Sequence, residues 1–176
     1  VLFPDMGLTK GDLVDYYRAV EKLILPHVRD RLVSLVRCPE GRAKKCFFQK
    51  HATDGFPGAF KVMEIAENDG ARAEYIYIDD LAGLIAGVQV GTLEFHVWGS
   101  EIADIERPTR LAFDFDPDPE LPFAAVKKGA TTLRGFLDEL GLESFPMLTG
   151  GKGVHVVVPI APRAAWPEAK AFCRAI

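Results

Sequence analysis

The strongest constraint on the fold is one run of alternating residues, Leu111-Ala112-Phe113-Asp114-Phe115-Asp116-Pro117. Successive side chains of a β-strand point to opposite faces, so a strand here would bury its leucine and phenylalanines on one face. Asp114 and Asp116 would then project side by side from the other face. Pro117 cannot donate to a sheet ladder, so we expect the strand to stop there and leave both carboxylates at its exposed end. Paired hard oxygen donors of this kind suit Mg²⁺ or Mn²⁺, which bind through carboxylates and substrate phosphates.

A second candidate element is the glycine-rich segment Thr149-Gly150-Gly151-Lys152-Gly153-Val154-His155. Its glycines let the backbone approach an anion, while Lys152 supplies a positive charge and His155 a hydrogen-bond donor. The segment does not match the Walker pattern, which needs more residues before its lysine and a Ser or Thr after it. Two interpretations stay open: a phosphate-handling turn, or a glycine-rich hairpin turn in which His155 is an ordinary strand residue.

A further candidate is His96, in the alternating segment Leu93-Glu94-Phe95-His96-Val97-Trp98. The apolar residues of this segment share one face of a strand, which leaves His96 on the other face with Glu94 and Trp98. A histidine in that position can contact a substrate phosphate or sugar. The spacing alone favours the alternative, a histidine that is hydrogen-bonded at a sheet surface.

Positive charge is concentrated in one short segment, although the formal net charge of the chain is −4. An acidic total argues against a nucleic-acid coat protein, because such domains are usually basic. The segment nevertheless interleaves aromatic residues, Phe47 and Phe48, with a set of cationic side chains: Arg37, Arg42, Lys44, Lys45, Lys50 and His51. Such a patch can bind a phosphate backbone and stack a base. The alternative, a solvated loop before a core strand, is the commoner case.

Composition limits the class of protein. The chain has 176 residues, 48% of them hydrophobic, which is enough for one domain with a sizeable core. Its longest apolar runs, such as 154–161, are far shorter than the roughly 18 residues that suggest a membrane span. Cys38, Cys46 and Cys173 are too few and too irregular for a disulfide framework, which predicts a reducing cytoplasm. Cys38, Cys46 and His51 match no common zinc-ligand spacing and lack a fourth ligand.

The order of predicted elements indicates an α+β domain with mixed or antiparallel sheets flanked by helices. Helices are predicted from Lys10 to the residue before Pro26, at 79–88, at 123–140 and from Trp166 onward. Strands are predicted at 32–37, 46–50, 60–65, 73–78, 92–98, 109–116, 146–148 and 154–160. Because the last helix stops in mid-pattern at Ile176, we expect the domain over residues 1–176 to be incomplete at its C-terminus.

Short motifs follow one another along nearly the whole chain. Besides the acidic run and the glycine-rich segment, they are Val1-Leu2-Phe3-Pro4, Leu8-Thr9-Lys10, Asp15-Tyr16-Tyr17, Cys38-Pro39-Glu40-Gly41, Phe47-Phe48-Gln49-Lys50-His51, Leu93-Glu94-Phe95-His96 and Pro108-Thr109-Arg110. In this order they resemble the polymerase domain of bacterial ligase D, a primase-like module of the archaeo-eukaryotic primase superfamily that acts in non-homologous end joining. The resemblance implies a primase-like (RRM-like) catalytic core.

The resemblance also implies roles for residues of the acidic run and the glycine-rich segment. Asp114 and Asp116 would be the first two metal-binding, catalytic carboxylates. Thr149, Lys152 and His155 would hold the triphosphate of the incoming nucleotide. In the family a serine is common where this chain has Thr149, a mild change that keeps the hydroxyl.

Other motif positions are implied to contact DNA. Lys10 matches a lysine that reads the 5′-phosphate at a gap or break, and Phe47 and Phe48 match aromatic residues that pack at the template strand. Lys50 and His96 also occupy family motif positions, which we assign to the DNA and to the nucleotide, respectively.

The implied reaction is template-dependent addition of nucleotides, with a preference for ribonucleotides, to a DNA primer 3′ end at gaps or breaks. Two metal ions, Mn²⁺ or Mg²⁺, would assist the attack of the primer hydroxyl and the departure of pyrophosphate. The implied partners are gapped or broken DNA, nucleoside triphosphates and a bacterial Ku-like end-binding protein, and no membrane. The implied setting is the cytoplasm at the bacterial nucleoid, within a multifunctional ATP-dependent DNA ligase. The family's third metal-binding aspartate would follow Ile176, and a lysine that assists 5′-phosphate recognition would precede Val1.

Two other functions stay open from the residues. The first is a phosphatase of the haloacid dehalogenase kind, with Asp114 and Asp116 as nucleophile and acid. That motif normally follows a parallel strand near the start of its domain and has a threonine where this chain has Asp118. The second is a DNA-end-binding module without activity, in which the acidic pair is structural.

Overall fold

The structure of this chain is a computed structural model that describes residues 3–67 and 69–176. It separates into two compact units, Val1–Trp98 and Gly99–Ile176. Each unit contains its own cluster of buried apolar side chains. The ladders between the described strands are antiparallel, and helices accompany the sheets in both units. The predicted α+β class is therefore confirmed.

Helix α1, Lys10–Val28, opens the first unit. It starts at a reciprocal cap, in which the Thr9 hydroxyl accepts from the Asp12 backbone N–H and the Asp12 carboxylate accepts from the Thr9 N–H at 2.7 Å. The Thr9 hydroxyl also donates to the Asp12 carboxylate at 2.6 Å, and this bond, followed by the one from the Thr9 N–H, lowers the pKa of Asp12. The prediction that the helix ends before Pro26 is wrong. Pro26 removes one backbone donor in the last turn, but Val28 beyond it is buried in the core and favours the helical path.

The first unit continues with β1 (Val33–Arg37), β2 (Phe47–Gln49), β3 (Lys61–Ala66), β4 (Arg72–Tyr77), helix α2 (Leu81–Gln89) and β5 (Thr92–Val97). Strand β1 is central in a three-stranded sheet of order β2-β1-β5, and β3 pairs with β4. The predicted strands and the 79–88 helix are thus present, with ends shifted by a residue or two, as is usual for element boundaries. The core of the unit includes Tyr17, Leu35, Ile76, Ile78 and Leu84.

The second unit contains β6 (Ser100–Glu101), β7 (Asp104–Pro108), β8 (Arg110–Phe115), helix α3 (Phe123–Glu139), β9 (Phe145–Leu148), β10 (Val154–Pro159) and helix α4 (Trp166–Ala175). Its three-stranded sheet has the order β8-β10-β9, so the acidic strand is the direct neighbour of the strand that follows the glycine-rich segment. Helices α3 and α4 supply Leu133, Leu137 and Ala169 to a core that also contains Val156 and Val158 of β10. The sequence did not predict the β6–β7 hairpin, because its short strands have no regular alternation.

Within the described ranges, no helix has both the length and the apolar character that crossing a membrane requires.

Candidate functional site

The acidic pair occupies the predicted face of β8. Leu111 is buried and packs, with Phe113 and Phe115, in the core of the second unit. Asp114 and Asp116 are both exposed, as the two-residue period of a strand requires. The β-ladder of β8 ends at Phe115, so Asp116 lies just past the strand. The alternation predicted from the sequence is confirmed, and the two carboxylates are free of the sheet's buried face.

His155 lies directly across the ladder from Asp114. Its Nε2 is 3.3 Å from the Asp114 Oδ1, and 28% of the His155 side chain and 61% of the Asp114 side chain are exposed. An imidazole can donate to a carboxylate through Nε2 in either its neutral or its protonated form. The register therefore joins one acid of the pair to the histidine of the glycine-rich segment on a single accessible face.

The turn before β10 is held against the end of β8. The Thr149 hydroxyl donates to the Gly153 carbonyl at 3.1 Å, which closes the turn on itself. Gly150 has a φ of +84°, a left-handed conformation that favours glycine. A Cβ on Gly153 would lie 3.3 Å from the Phe115 carbonyl oxygen, so a larger residue would push the turn away from β8.

Lys152 extends this connection beyond β8. Its Nζ donates at 3.0 Å to the carbonyl oxygen of Pro119, in the loop that follows the acidic pair. The ammonium group is thus held against the loop that directly follows Asp116. One end of this sheet carries two exposed carboxylates, an imidazole and an ammonium group, which between them can bind a divalent cation and an anion.

The donor set at this end of the sheet suits a hard divalent cation but is small. Asp114 and Asp116 offer carboxylate oxygens, the ligands that Mg²⁺ and Mn²⁺ prefer. Among the described residues, no three His, Cys, Asp or Glu side chains are gathered so that they could hold one ion. The pair therefore fits a site of the kind in which two protein carboxylates act together with other oxygen ligands.

The remaining predicted site residues belong to the first unit. Phe47 and Phe48 lie on the edge strand β2, with 41% and 69% of their surfaces exposed. The guanidinium of Arg37 lies 5.4 Å from the centre of the Phe47 ring. Phe48 meets His96 edge to face across β1, with ring centroids 5.3 Å apart, and the His96 Nε2 lies 2.7 Å from a Glu94 carboxylate oxygen. The structure thus brings Phe48 and His96 together, which the sequence did not predict.

The partners of Lys50 are not predictable from local sequence. Its Nζ donates to the Tyr75 hydroxyl at 3.0 Å and to the Glu67 carboxylate at 3.1 Å, and the Tyr75 hydroxyl donates to the same carboxylate at 2.7 Å. The hydrogen bond from Tyr75, followed by that from Lys50, lowers the pKa of Glu67. The same partners raise the pKa of Lys50, so its positive charge is already compensated within the unit.

Lys10 is the first residue of α1, and its Nζ donates to the carbonyl oxygen of Gln89 at the end of α2. A cation there is favourable, because the last carbonyls of a helix carry partial negative charge. Lys10 is exposed in this position.

The prediction about the cysteines needs correction. Cys38 and Cys46 form a disulfide, with their Cα atoms 4.4 Å apart, whereas Cys173 is a free thiol. Arg37 pairs with Phe47 in the antiparallel β1–β2 ladder, so Cys38, which follows β1, lies opposite Cys46, which precedes β2. The two cysteines, whose spacing matches no sequence pattern, thus become direct neighbours across the antiparallel strand pair.

An antiparallel sheet that carries two exposed carboxylates beside a glycine–lysine turn is the arrangement expected of a metal-dependent protein that handles phosphate groups. The comparisons with known proteins make this class specific. Residues 9–176 match the family described as LigD, primase-polymerase domain, and the chain belongs to that family. The family predicted from the sequence motifs is therefore confirmed.

Curated relatives share the similarity over nearly the full chain. The multifunctional non-homologous end joining protein LigD of Pseudomonas aeruginosa is 37% identical over 177 residues, covering 98% of this chain and 20% of the relative. The protein of the same description from Mycolicibacterium smegmatis is 33% identical, covering 92% of this chain and 21% of its own length. The bifunctional non-homologous end joining protein LigD of Bacillus subtilis is 30% identical, covering 100% and 28%. The chain thus spans between a fifth and about three tenths of these relatives.

A solved structure agrees with the fold. The polymerase domain from Mycobacterium tuberculosis ligase D in complex with DNA superposes with a TM-score of 0.88 at 30% identity, covering 98% of this chain and 62% of that one. The phosphatase alternative loses support, since β8 pairs antiparallel with β10 whereas that motif follows a parallel strand.

Proposed function

We propose that this chain is the nucleotidyl-transferring part of a DNA repair polymerase, which adds nucleotides, preferably ribonucleotides, to a primer 3′ end at gaps or breaks. The observation that carries the proposal is the placement of Asp114 beside His155, with the Lys152 turn at the same end of one sheet. Membership of the LigD primase-polymerase family supports it independently. Phosphoryl transfer needs little covalent chemistry from a protein, so positioning and charge are what such a site must supply.

Asp114 and Asp116 are proposed to hold two divalent ions, Mn²⁺ or Mg²⁺. Such ions, when bound, offset the charge that develops between the attacking hydroxyl and the leaving pyrophosphate. The chain's own part is to present both carboxylates to solvent, Asp114 from within β8 and Asp116 from just past its end. His155, whose Nε2 lies 3.3 Å from the Asp114 Oδ1, limits the orientations of that carboxylate from the neighbouring strand.

Thr149, Lys152 and His155 are proposed to bind the triphosphate of the incoming nucleotide. Lys152 has an ammonium group that can exchange the neutral Pro119 carbonyl for a charged phosphate oxygen, which accepts a stronger hydrogen bond. Thr149 closes the turn through Gly153 and so shapes the backbone that faces the phosphates. His96 is proposed to contact a nucleotide as well.

The first unit is proposed to bind DNA. Phe47 and Phe48 present exposed rings on which bases of the template can stack. Lys10 is proposed to bind the 5′-phosphate at a gap or break, and Lys50 the DNA backbone. That the solved Mycobacterium tuberculosis domain is in complex with DNA supports DNA binding in general. In the cell we propose action at the bacterial nucleoid, alongside a Ku-like end-binding protein, within a longer ligase.

Primer extension tests the proposal. Because the family resemblance implies a third metal-binding aspartate after Ile176, extension is measured on a longer protein that contains both this chain and that aspartate, using a gapped template, labelled ribonucleotides and Mn²⁺. Asp114→Asn and Asp116→Asn should each lower the rate by at least about a hundredfold, because each removes a charged metal ligand. Asp138→Asn, which removes an exposed carboxylate from α3 instead, should leave the rate unchanged.

The alternatives give different results. Release of phosphate from a small ester without DNA, lost in Asp114→Asn, would identify a phosphatase. DNA-end binding that is unaffected by Asp114→Asn, with no extension by any variant, would identify a binding module. Either result would refute nucleotidyl transfer.

A further inference from the structure

The disulfide closes the connection between β1 and β2. Cys38 follows β1 directly and Cys46 precedes β2 directly, so the bond lies at the base of the connecting loop, residues 39–45. This loop, which we call the basic loop, presents the exposed cationic side chains of Arg42, Lys44 and Lys45. The exposed rings of Phe47 and Phe48 come immediately after it. Phosphate-binding and base-stacking groups are therefore adjacent on one covalently closed hairpin.

The two ends of the basic loop are anchored to different degrees. Cys38 is 2% exposed, and its backbone N–H donates to the Gly91 carbonyl at 2.7 Å. Its own carbonyl accepts from the Gly41 N–H at 2.9 Å. Cys46 is half-buried, and its Sγ lies 3.7 Å from the Lys44 carbonyl oxygen. The disulfide thus ties the more exposed end of the loop, at Cys46, to the buried and hydrogen-bonded end at Cys38.

We propose that Cys38 and Cys46 form a redox-active pair whose oxidised state fixes the basic loop beside Phe47 and Phe48 and so strengthens DNA binding. The inference rests on the proposed function, since it takes this hairpin to contact DNA. A loop held in one arrangement loses less conformational freedom when it binds, so its phosphate and base contacts form together. Opening the bond lengthens the freely moving segment and adds that ordering penalty to binding.

Reduction of the Cys38–Cys46 bond proceeds by thiol–disulfide exchange with a dithiol. A thiolate of the dithiol attacks the more accessible Cys46 sulfur, the bond between the two protein sulfurs breaks, and Cys38 leaves as a thiolate that takes a proton. The second thiol of the reagent then attacks the mixed disulfide and releases Cys46 as a thiol. The products are two protein thiols and one cyclic disulfide, so the reagent is oxidised by two electrons and the protein is reduced by two.

The test compares the oxidised chain with the chain reduced by dithiothreitol. Affinity for a fluorescent, 5′-phosphorylated gapped duplex is measured by anisotropy across a range of salt concentrations. Trypsin cleavage after Arg42, Lys44 and Lys45 reports the order of the basic loop without DNA. Cys38→Ala combined with Cys46→Ala removes the pair, while Cys173→Ala removes the remaining thiol; burial raises the pKa of the Cys173 thiol, which limits its reactivity.

We expect reduction to weaken binding about threefold to tenfold, to speed cleavage, and to lower the slope of log Kd against log salt by up to about 2.7, as for three phosphate contacts. The Cys173→Ala chain should respond like the wild type, and the double variant should behave as the reduced chain in both conditions. Equal cleavage in the two states, or faster cleavage with equal affinity, would overturn the proposal. Failure of both states to bind DNA would overturn the proposed function itself, and the inference with it.

Discussion

Replacing Gly91 with alanine should destabilise the chain through a contact with the peptide backbone. Gly91 has a φ of +79°, and a Cβ there would lie 2.9 Å from the Pro39 Cα and 3.2 Å from the Pro39 nitrogen. The Gly91 carbonyl also accepts the Cys38 N–H at 2.7 Å, which keeps the two segments close. A backbone atom cannot rotate aside as a side chain can, so the new methyl group must displace the start of the basic loop.

Two separate free-energy penalties set the size of the destabilisation by Gly91→Ala. A non-glycine residue in the left-handed region costs about 1–2 kcal/mol. Forcing a methyl group into a packed site typically costs a further 1–3 kcal/mol or so. Together they predict a loss of about 2–5 kcal/mol of unfolding free energy for Gly91→Ala.

Gly55→Ala isolates the first penalty. Gly55 has a nearly equal φ of +82°, but nothing lies within 4 Å of the position of its Cβ. This variant should therefore lose only about 1–2 kcal/mol. Any gain from stiffening the unfolded chain is similar in both variants and cancels in their difference.

Urea unfolding followed by circular dichroism measures both variants, with unchanged m-values as the condition for comparing free energies. The difference between them is the cost of the contact with Pro39. Equal losses in Gly91→Ala and Gly55→Ala would show that the Pro39 backbone gives way freely, and would refute the reasoning.

Two further predictions concern pH. Burial raises the pKa of Tyr17 to about 12, whereas an unfolded tyrosine ionises near 10.0, so stability should fall as the pH rises from 10 to 12, by about 2–3 kcal/mol more in wild type than in Tyr17→Phe. Alkaline urea titrations check this, and parallel losses would contradict it. Hydrogen bonds from Tyr75 and Lys50 lower the pKa of Glu67, so their stabilising effect is present above pH 4.5 and is lost as the pH falls below it. Glu67→Gln should therefore melt below wild type at pH 6 but not at pH 3; the same deficit at both pH values would refute this.

The part of the site that could be predicted from sequence depends on local periodicity. Leu111 and Phe113 face a core, so the alternation of β8 is fixed by burial, and Asp114 follows from it. The pairing of Asp114 with His155 depends on the register between β8 and β10, which no local pattern states. The family motifs bring these two residues into one hypothesis, but the 3.3 Å approach of the His155 Nε2 to the Asp114 Oδ1 depends on the tertiary structure.

The features that the sequence does not predict depend on tertiary contacts. Lys50 has one partner, Tyr75, on β4 and another, Glu67, just after β3, at separations of 25 and 17 residues, so its place in a charged local segment does not indicate an ion pair. The Cys38–Cys46 bond likewise follows from antiparallel pairing rather than from spacing. The sequence predicts that Pro26 ends α1, yet burial of Val28 beyond it outweighs one lost hydrogen bond.

For the proposed triphosphate site, the hydrogen bond between Lys152 and the Pro119 carbonyl has a consequence for how selectively an anion is accepted. A free lysine loses about 1.5–2 kcal/mol of rotamer entropy when a ligand immobilises it, and the hydrogen bond to Pro119 restricts this side chain in part before any ligand arrives. An incoming phosphate oxygen therefore has only to displace a neutral acceptor. A neutral ligand accepts a hydrogen bond no better than a peptide carbonyl does, so it would gain nothing by replacing the Pro119 carbonyl. Lys152 would therefore favour charged ligands over neutral ones.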